Sequence, residues 1–157
     1  MKFSRIIING IIIFACIGAI FLIMEMLDLK EHIWLRLLNF IPVIWGINRT
    51  IKGNYNDHID GYFTNFLSGM LTGIVSLVLG LISFMVYVEM NGGDAYLETF
   101  NESYIFGGGE PSVYQFCIGL FLEGAAASLI VSFMLMQFWK DKVEKINKVD
   151  DTNHRSA

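Results

Sequence analysis

The charges of this chain stay mostly out of four long apolar runs, and that segregation constrains its fold more than any other feature. The runs cover residues 6–27, 33–51, 63–88 and 113–139. Each approaches or exceeds the ~20 apolar residues that carry an α-helix across ~30 Å of hydrocarbon. In lipid the backbone must satisfy its own polar groups, and such runs do so as helices. The hydrophobic fraction of 54% and mean hydropathy of +0.53 exceed what a soluble domain of 157 residues hides in one core. The reading is an all-α polytopic membrane protein, an antiparallel bundle of four transmembrane helices. Residues 1–139 form the transmembrane domain and 140–157 a charged tail.

Lys2 and Arg5 precede the first run, so a signal peptide has to be weighed. No small-x-small cleavage site follows. Ile13-Phe14-Ala15-Cys16 has the outline of a lipoprotein box, but Phe14 fits it badly and the run stays apolar to Met26. A retained first helix is expected. Arg36, Asn39 and Pro42 interrupt the second run. Arg36 is near the end and can snorkel. Pro42 leaves the carbonyl of Leu38 without its helix donor and predicts a kink between them. The fourth run begins after Pro111 and Ser112 and is long enough to tilt or project.

Lysine and arginine set the orientation. Lys2, Arg5, Arg49, Lys52, Lys140, Lys142, Lys145, Lys148 and Arg155 fall on one side, against Lys30 and Arg36 on the other. The expected topology places both termini on the cytoplasmic side of a bacterial inner membrane. The tail lysines, with Trp139, Val143 and Ile146, suit anionic headgroups better than nucleic acid.

Small residues predict the packing. Gly69, Gly73, Ser76, Gly80 and Ser83 make one stripe on the third run, and Gly124, Ser128 and Ser132 one on the fourth, with Gly119 ahead of them. Ala15, Gly18 and Ala19 are a looser set on the first. Such stripes let helix backbones approach closely in lipid. The sequence leaves open whether they pack within the chain or against a second copy.

Ionisable residues at membrane depth are the candidate site. Glu25, Arg36, Glu89 and Glu123 give each run one charge toward the outer side, and Glu123 is the acid clearly within a span. The expectation is that Glu123 faces the bundle interior and pairs with Arg36, with Asn39 nearby. That cluster is either a structural clasp or a proton or cation site; the remaining alternative is a Glu123 that is exposed or snorkels. The acidic connection 89–112 predicts an amphipathic helix from Asp94 to Tyr104, with Gly92, Gly93 and Gly107 to Gly109 as hinges. Asn101-Glu102-Ser103 matches the glycosylation pattern, which needs a secretory eukaryotic setting. Asp57, His58 and Asp60 could touch a metal, but no further ligand supports them and a solvated loop is the simpler reading. Cys16 and Cys117 read as small packing residues. No catalytic motif is present, no cofactor is implied, and the expectation is a non-enzyme.

The stretch Trp34-Leu35-Arg36-Leu37-Leu38-Asn39-Phe40, continuing to Gly46-Ile47-Asn48-Arg49-Thr50-Ile51-Lys52 and then Gly61-Tyr62 through Leu67-Ser68-Gly69, resembles the small four-helix membrane proteins of unknown function common in Bacteroidota. That resemblance covers the second and third runs. It implies a cytoplasmic-membrane protein with no assigned activity and no catalytic residues. The order of four helices is also similar to small multidrug transporters, which keep their essential glutamate in the first helix and have short loops. This chain departs on both points. Three readings of function stand: foremost a scaffold or accessory subunit partnering another membrane protein or itself, then a small transporter or proton-linked channel component using Glu123, and last a membrane-embedded enzyme.

Overall fold

In the computed structural model, residues 1–27, 33–97 and 112–143 are described, and all regular structure among them is helical. Helix α1 is Phe3–Met26. A 3-10 segment, Ile33–Asn39, leads into α2, Phe40–Asn56. Helix α3 is Tyr62–Met90, α4 is the single turn Asp94–Leu97, and α5 is Val113–Val143.

Three of these, α1, α3 and α5, are long and apolar enough to cross a membrane. The second run differs from the other three, because it is a 3-10 segment joined to a 17-residue α-helix. Pro42 explains the join. It lies in the first turn of α2, where a backbone N–H has no intrahelical acceptor. It also cannot donate to the carbonyl of Leu38, so the α-helical ladder does not extend back through that turn. The predicted kink is thus a change of helix type.

Helix α3 is the centre of the packing and contacts α1, α2 and α5, while α2 also touches α1 and α5. The α3–α5 seam is antiparallel. A Cβ at Gly69 would lie 3.1 Å from Ser132 Oγ, one at Gly73 would run into Ser128, and one at Gly124 would meet Leu77. Each turn along α3 is matched by one turn back along α5, and Val88 and Val113 close the far end in one apolar cluster. Gly46 similarly admits Ile13 of α1, and Gly10 admits Val75 of α3.

The predicted stripe on α3 is therefore only partly a seam. Gly69, Gly73 and Ser76 are buried, but a Cβ at Gly80 would meet nothing within 4 Å and Ser83 is exposed. On α1 the small residues do not pack within the chain: Ala15 and Ala19 are exposed and Gly18 faces open space. The packing edge is Ile6, Asn9, Gly10 and Ile13. Cys16 is exposed and Cys117 buried.

One end of the molecule gathers the start of α1, the end of α2, the 57–61 connection and the end of α5. Asp57 there pairs with Lys2 and Arg5, and Gly61 N donates to Val143 O at 2.9 Å. The other end holds Glu89, α4 and the start of α5, joined where Val113 N donates to Asp94 Oδ1 at 2.9 Å. Lys140 and Lys142 thus lie at the opposite end from Glu89 and Asp94, as the antiparallel order requires. We call these the basic and acidic ends. The outer helix faces are apolar, with Ile7, Ile23, Ile41, Ile82, Phe133 and Phe138 all exposed. Water-facing surfaces rarely carry apolar patches so extensive.

Candidate functional site

A chain of polar side chains runs through the apolar core toward the basic end. Asn9 Nδ2 of α1 donates to Thr50 Oγ1 of α2 at 2.9 Å, and Thr50 Oγ1 lies 3.0 Å from Thr72 Oγ1 of α3. Thr72 donates its hydroxyl proton to Ser68 O at 2.8 Å, so the single Thr50 proton is shared between Thr72 Oγ1 and the carbonyl of Gly46 at 3.2 Å. All three residues are buried. Hydrogen bonds thereby tie α1, α2 and α3. The sequence reading missed this chain because it weighed charges and small residues. The available signal was Asn9, an amide placed among Ile6, Ile7, Ile8 and Ile11.

Toward the basic end the network continues. Arg5 Nη1 donates to Asn54 Oδ1 at 2.8 Å, and a Cβ at Gly53 would lie only 2.6 Å from Arg5 Nε, so the glycine lets the guanidinium lie against α2. Lys2 Nζ is 2.9 Å from Asp57 Oδ2. Hydrogen bonds from Lys2 and then Arg5 hold the Asp57 carboxyl below its usual range. Asn54 O accepts from Ile59 N at 3.0 Å, and Asn65 Nδ2 donates to Ile59 O at 2.9 Å and Gly61 O at 3.0 Å. The 57–61 turn is therefore clamped between α2 and α3, and His58 takes φ 54° within it. Asp57, the candidate metal ligand, is engaged by two cations. At the α2–α5 edge Trp139 Nε1 donates to Asn48 Oδ1 at 2.9 Å.

At the acidic end, Phe21 of α1 meets Tyr87 of α3 edge-on at 5.5 Å, and Tyr87 meets Tyr96 of α4 at 5.7 Å. Burial first, and then the neighbouring Glu25 carboxylate, push the Tyr96 hydroxyl well above its usual pKa. Glu25 is half-buried beside it. Leu97 is buried beneath this cluster, and Asp94 reaches across to cap α5. Gly92 (φ 115°) and Gly93 (φ 64°) terminate α3, a left-handed conformation that glycine tolerates. The predicted amphipathic helix is described only over Asp94–Leu97, and the rest lies outside the described residues. Glu89 is exposed and lines a shallow groove of about 410 Å³ with Met85, Met90, Val113 and Tyr114.

Of the expected cluster of Glu25, Arg36, Asn39, Glu89 and Glu123, the described members lie apart: Glu89 and Glu123 are exposed and Glu25 is beside Tyr96. Glu123 is exposed, on the face of α5 opposite Ser132. That corrects the interior placement. The α5 register points Ser128 and Ser132 at α3, and helical geometry then turns Glu123 away with Ala126 and Ile130. The Arg36 side chain lies outside the described residues, and its segment packs on α2 and α1. Asn39 is half-buried at the start of α2, and its Oδ1 has no hydrogen-bond partner among the described residues. Gly124, the neighbour of Glu123, packs against Leu77, near the midpoint of α3. Glu123 stands about 15 Å along α5 from Val113, at 1.5 Å per residue.

Comparison with protein-family models, curated proteins and solved structures finds no match to this chain.

Proposed function

We propose that this chain is a non-enzymatic scaffold or accessory subunit of a bacterial inner membrane. Its four helical segments cross the bilayer as an antiparallel bundle with both termini cytoplasmic, and its partner is another membrane protein or another copy of itself. The fourth crossing in this reading is the composite of residues 33–56, which matches α1 in length although only α2 is regular. The concentration of lysine and arginine at one end supports the orientation.

The observation that carries the functional reading is the division of polar groups between inside and outside. Of the inward polar side chains, Asn9, Thr50 and Thr72 join α1, α2 and α3, while Ser68 and Ser128 are satisfied within their own helices by Thr64 O and Gly124 O. The acidic side chain at mid-depth, Glu123, faces outward. Transport through the bundle by way of Glu123 needs the opposite arrangement.

Two measurements test this. The protein is expected to remain in native membranes after carbonate extraction and to crosslink there to a membrane protein or to itself in fixed ratio. Purified protein in proteoliposomes is expected to pass protons and monovalent cations no faster than empty vesicles. Flux that Glu123→Gln abolishes would establish the transport reading in its place.

A further inference from the structure

Glu123 is on the wrong side of its helix for anything this chain does internally. A carboxyl group facing acyl chains at mid-depth is costly, about 2.5–3.5 kcal/mol for an acidic side chain at a span centre on insertion scales. Even its neutral form lacks a hydrogen-bond partner in hydrocarbon. Its surroundings admit a close neighbour. Gly119 one turn before it and Ala126 one turn after share its face, and both are at least partly exposed. Larger side chains, Ile130 and Phe133, stand further along. This face therefore carries one acid with a small residue one turn to either side.

We infer that this face of α5, centred on Glu123 between Gly119 and Ala126, docks a transmembrane helix of another protein that carries a lysine or arginine at mid-depth. The inference rests on the membrane reading above and specifies the partner it leaves open. Charge complementarity selects the occupant. A second copy meeting this face symmetrically sets Glu123 against Glu123. The bases whose side chains are described, Lys2, Arg5, Arg49, Lys52, Lys140 and Lys142, cluster at the basic end, a different level of the bundle. Arg36 belongs to the segment packed on α2 and α1. A basic residue on a foreign helix satisfies the carboxylate, and the flanking small residues bring the two backbones close enough for the pair to form.

The test uses the full chain, reconstituted in phosphatidylcholine vesicles with a donor fluorophore on its C-terminal tail. The probes are synthetic leucine–alanine transmembrane peptides with a single central lysine, leucine or glutamate and an acceptor fluorophore. The wild type is expected to associate with the lysine peptide about tenfold more strongly than with the leucine peptide. Glu123→Gln is expected to reduce that preference to about twofold or less, and Glu123→Lys to transfer it to the glutamate peptide. Because Glu123 is outside the bundle contacts, both variants should keep the wild-type unfolding temperature, which separates loss of docking from loss of fold. Equal association of the lysine and leucine peptides with wild type overturns the inference, as does a lysine preference that survives Glu123→Gln. Energy transfer between wild-type copies that Glu123→Gln abolishes, without lysine preference, overturns it in favour of self-association. A chain that does not insert into the vesicles at all overturns the membrane reading itself.

Discussion

Replacing Thr50 by valine keeps the shape of the side chain and removes one hydroxyl from the middle of the Asn9–Thr50–Thr72 chain. That oxygen accepts from Asn9 Nδ2 at 2.9 Å and lies 3.0 Å from Thr72 Oγ1. Thr72 keeps its bond to Ser68 O, so the group left without its partner is the Asn9 amide, 3% exposed. An orphaned buried donor costs about 1–3 kcal/mol in water-soluble proteins, while hydrogen bonds between membrane helices average about 0.6 and reach about 1.7. The expected destabilisation is about 1–2 kcal/mol, or about 2–8 °C in unfolding temperature for a chain of this size. The assay is thermal unfolding in detergent micelles, followed by helical circular dichroism. Asn9→Leu added to Thr50→Val removes the orphan, so the double variant should be more stable than the two single losses predict, by about 1 kcal/mol. A Thr50→Val protein as stable as wild type, or strictly additive losses, would refute the view that this chain of side chains ties the helices.

The same unfolding assay separates the two halves of the α3 stripe. Gly73→Ala drives a Cβ into Ser128 and should cost about 1–3 kcal/mol, whereas Gly80→Ala meets open space and should be neutral or stabilising by up to about 1 kcal/mol through helix propensity. Asp94→Ala removes the oxygen that caps Val113 N and should cost about 0.5–2 kcal/mol, with earlier loss of amide-exchange protection in the first turn of α5. Asp57 has a folded pKa below its ordinary 3.8, so its pairing with Lys2 and Arg5 stabilises fully above that value and is lost as pH falls through the lowered one. Asp57→Asn should therefore be less stable than wild type at neutral pH and converge with it in acid, and high salt should shrink the gap because the carboxylate is solvent-exposed.

The lengths and order of the helices were legible in the sequence. The runs at 63–88 and 113–139 became Tyr62–Met90 and Val113–Val143, and the break at Pro42 appeared where its missing donor required. These features follow from a requirement that acts along the chain: enough apolar residues to span hydrocarbon and a backbone that satisfies itself. The facing of each helix was not legible. In a water-soluble helix one apolar stripe marks the inside, but α1, α3 and α5 are apolar nearly all round, so hydropathy does not separate core from surface. Gly73 and Gly80 look alike in sequence, and only the crossing of α5 makes one a contact and leaves the other open. Glu123 was visible as an acid within a run, yet its direction depended on which side of α5 meets α3. The partners of Asn9 and Asp94 lie on other elements, Thr50 on α2 and Val113 at the start of α5, and a hydrogen bond between elements needs a distance that only packing fixes.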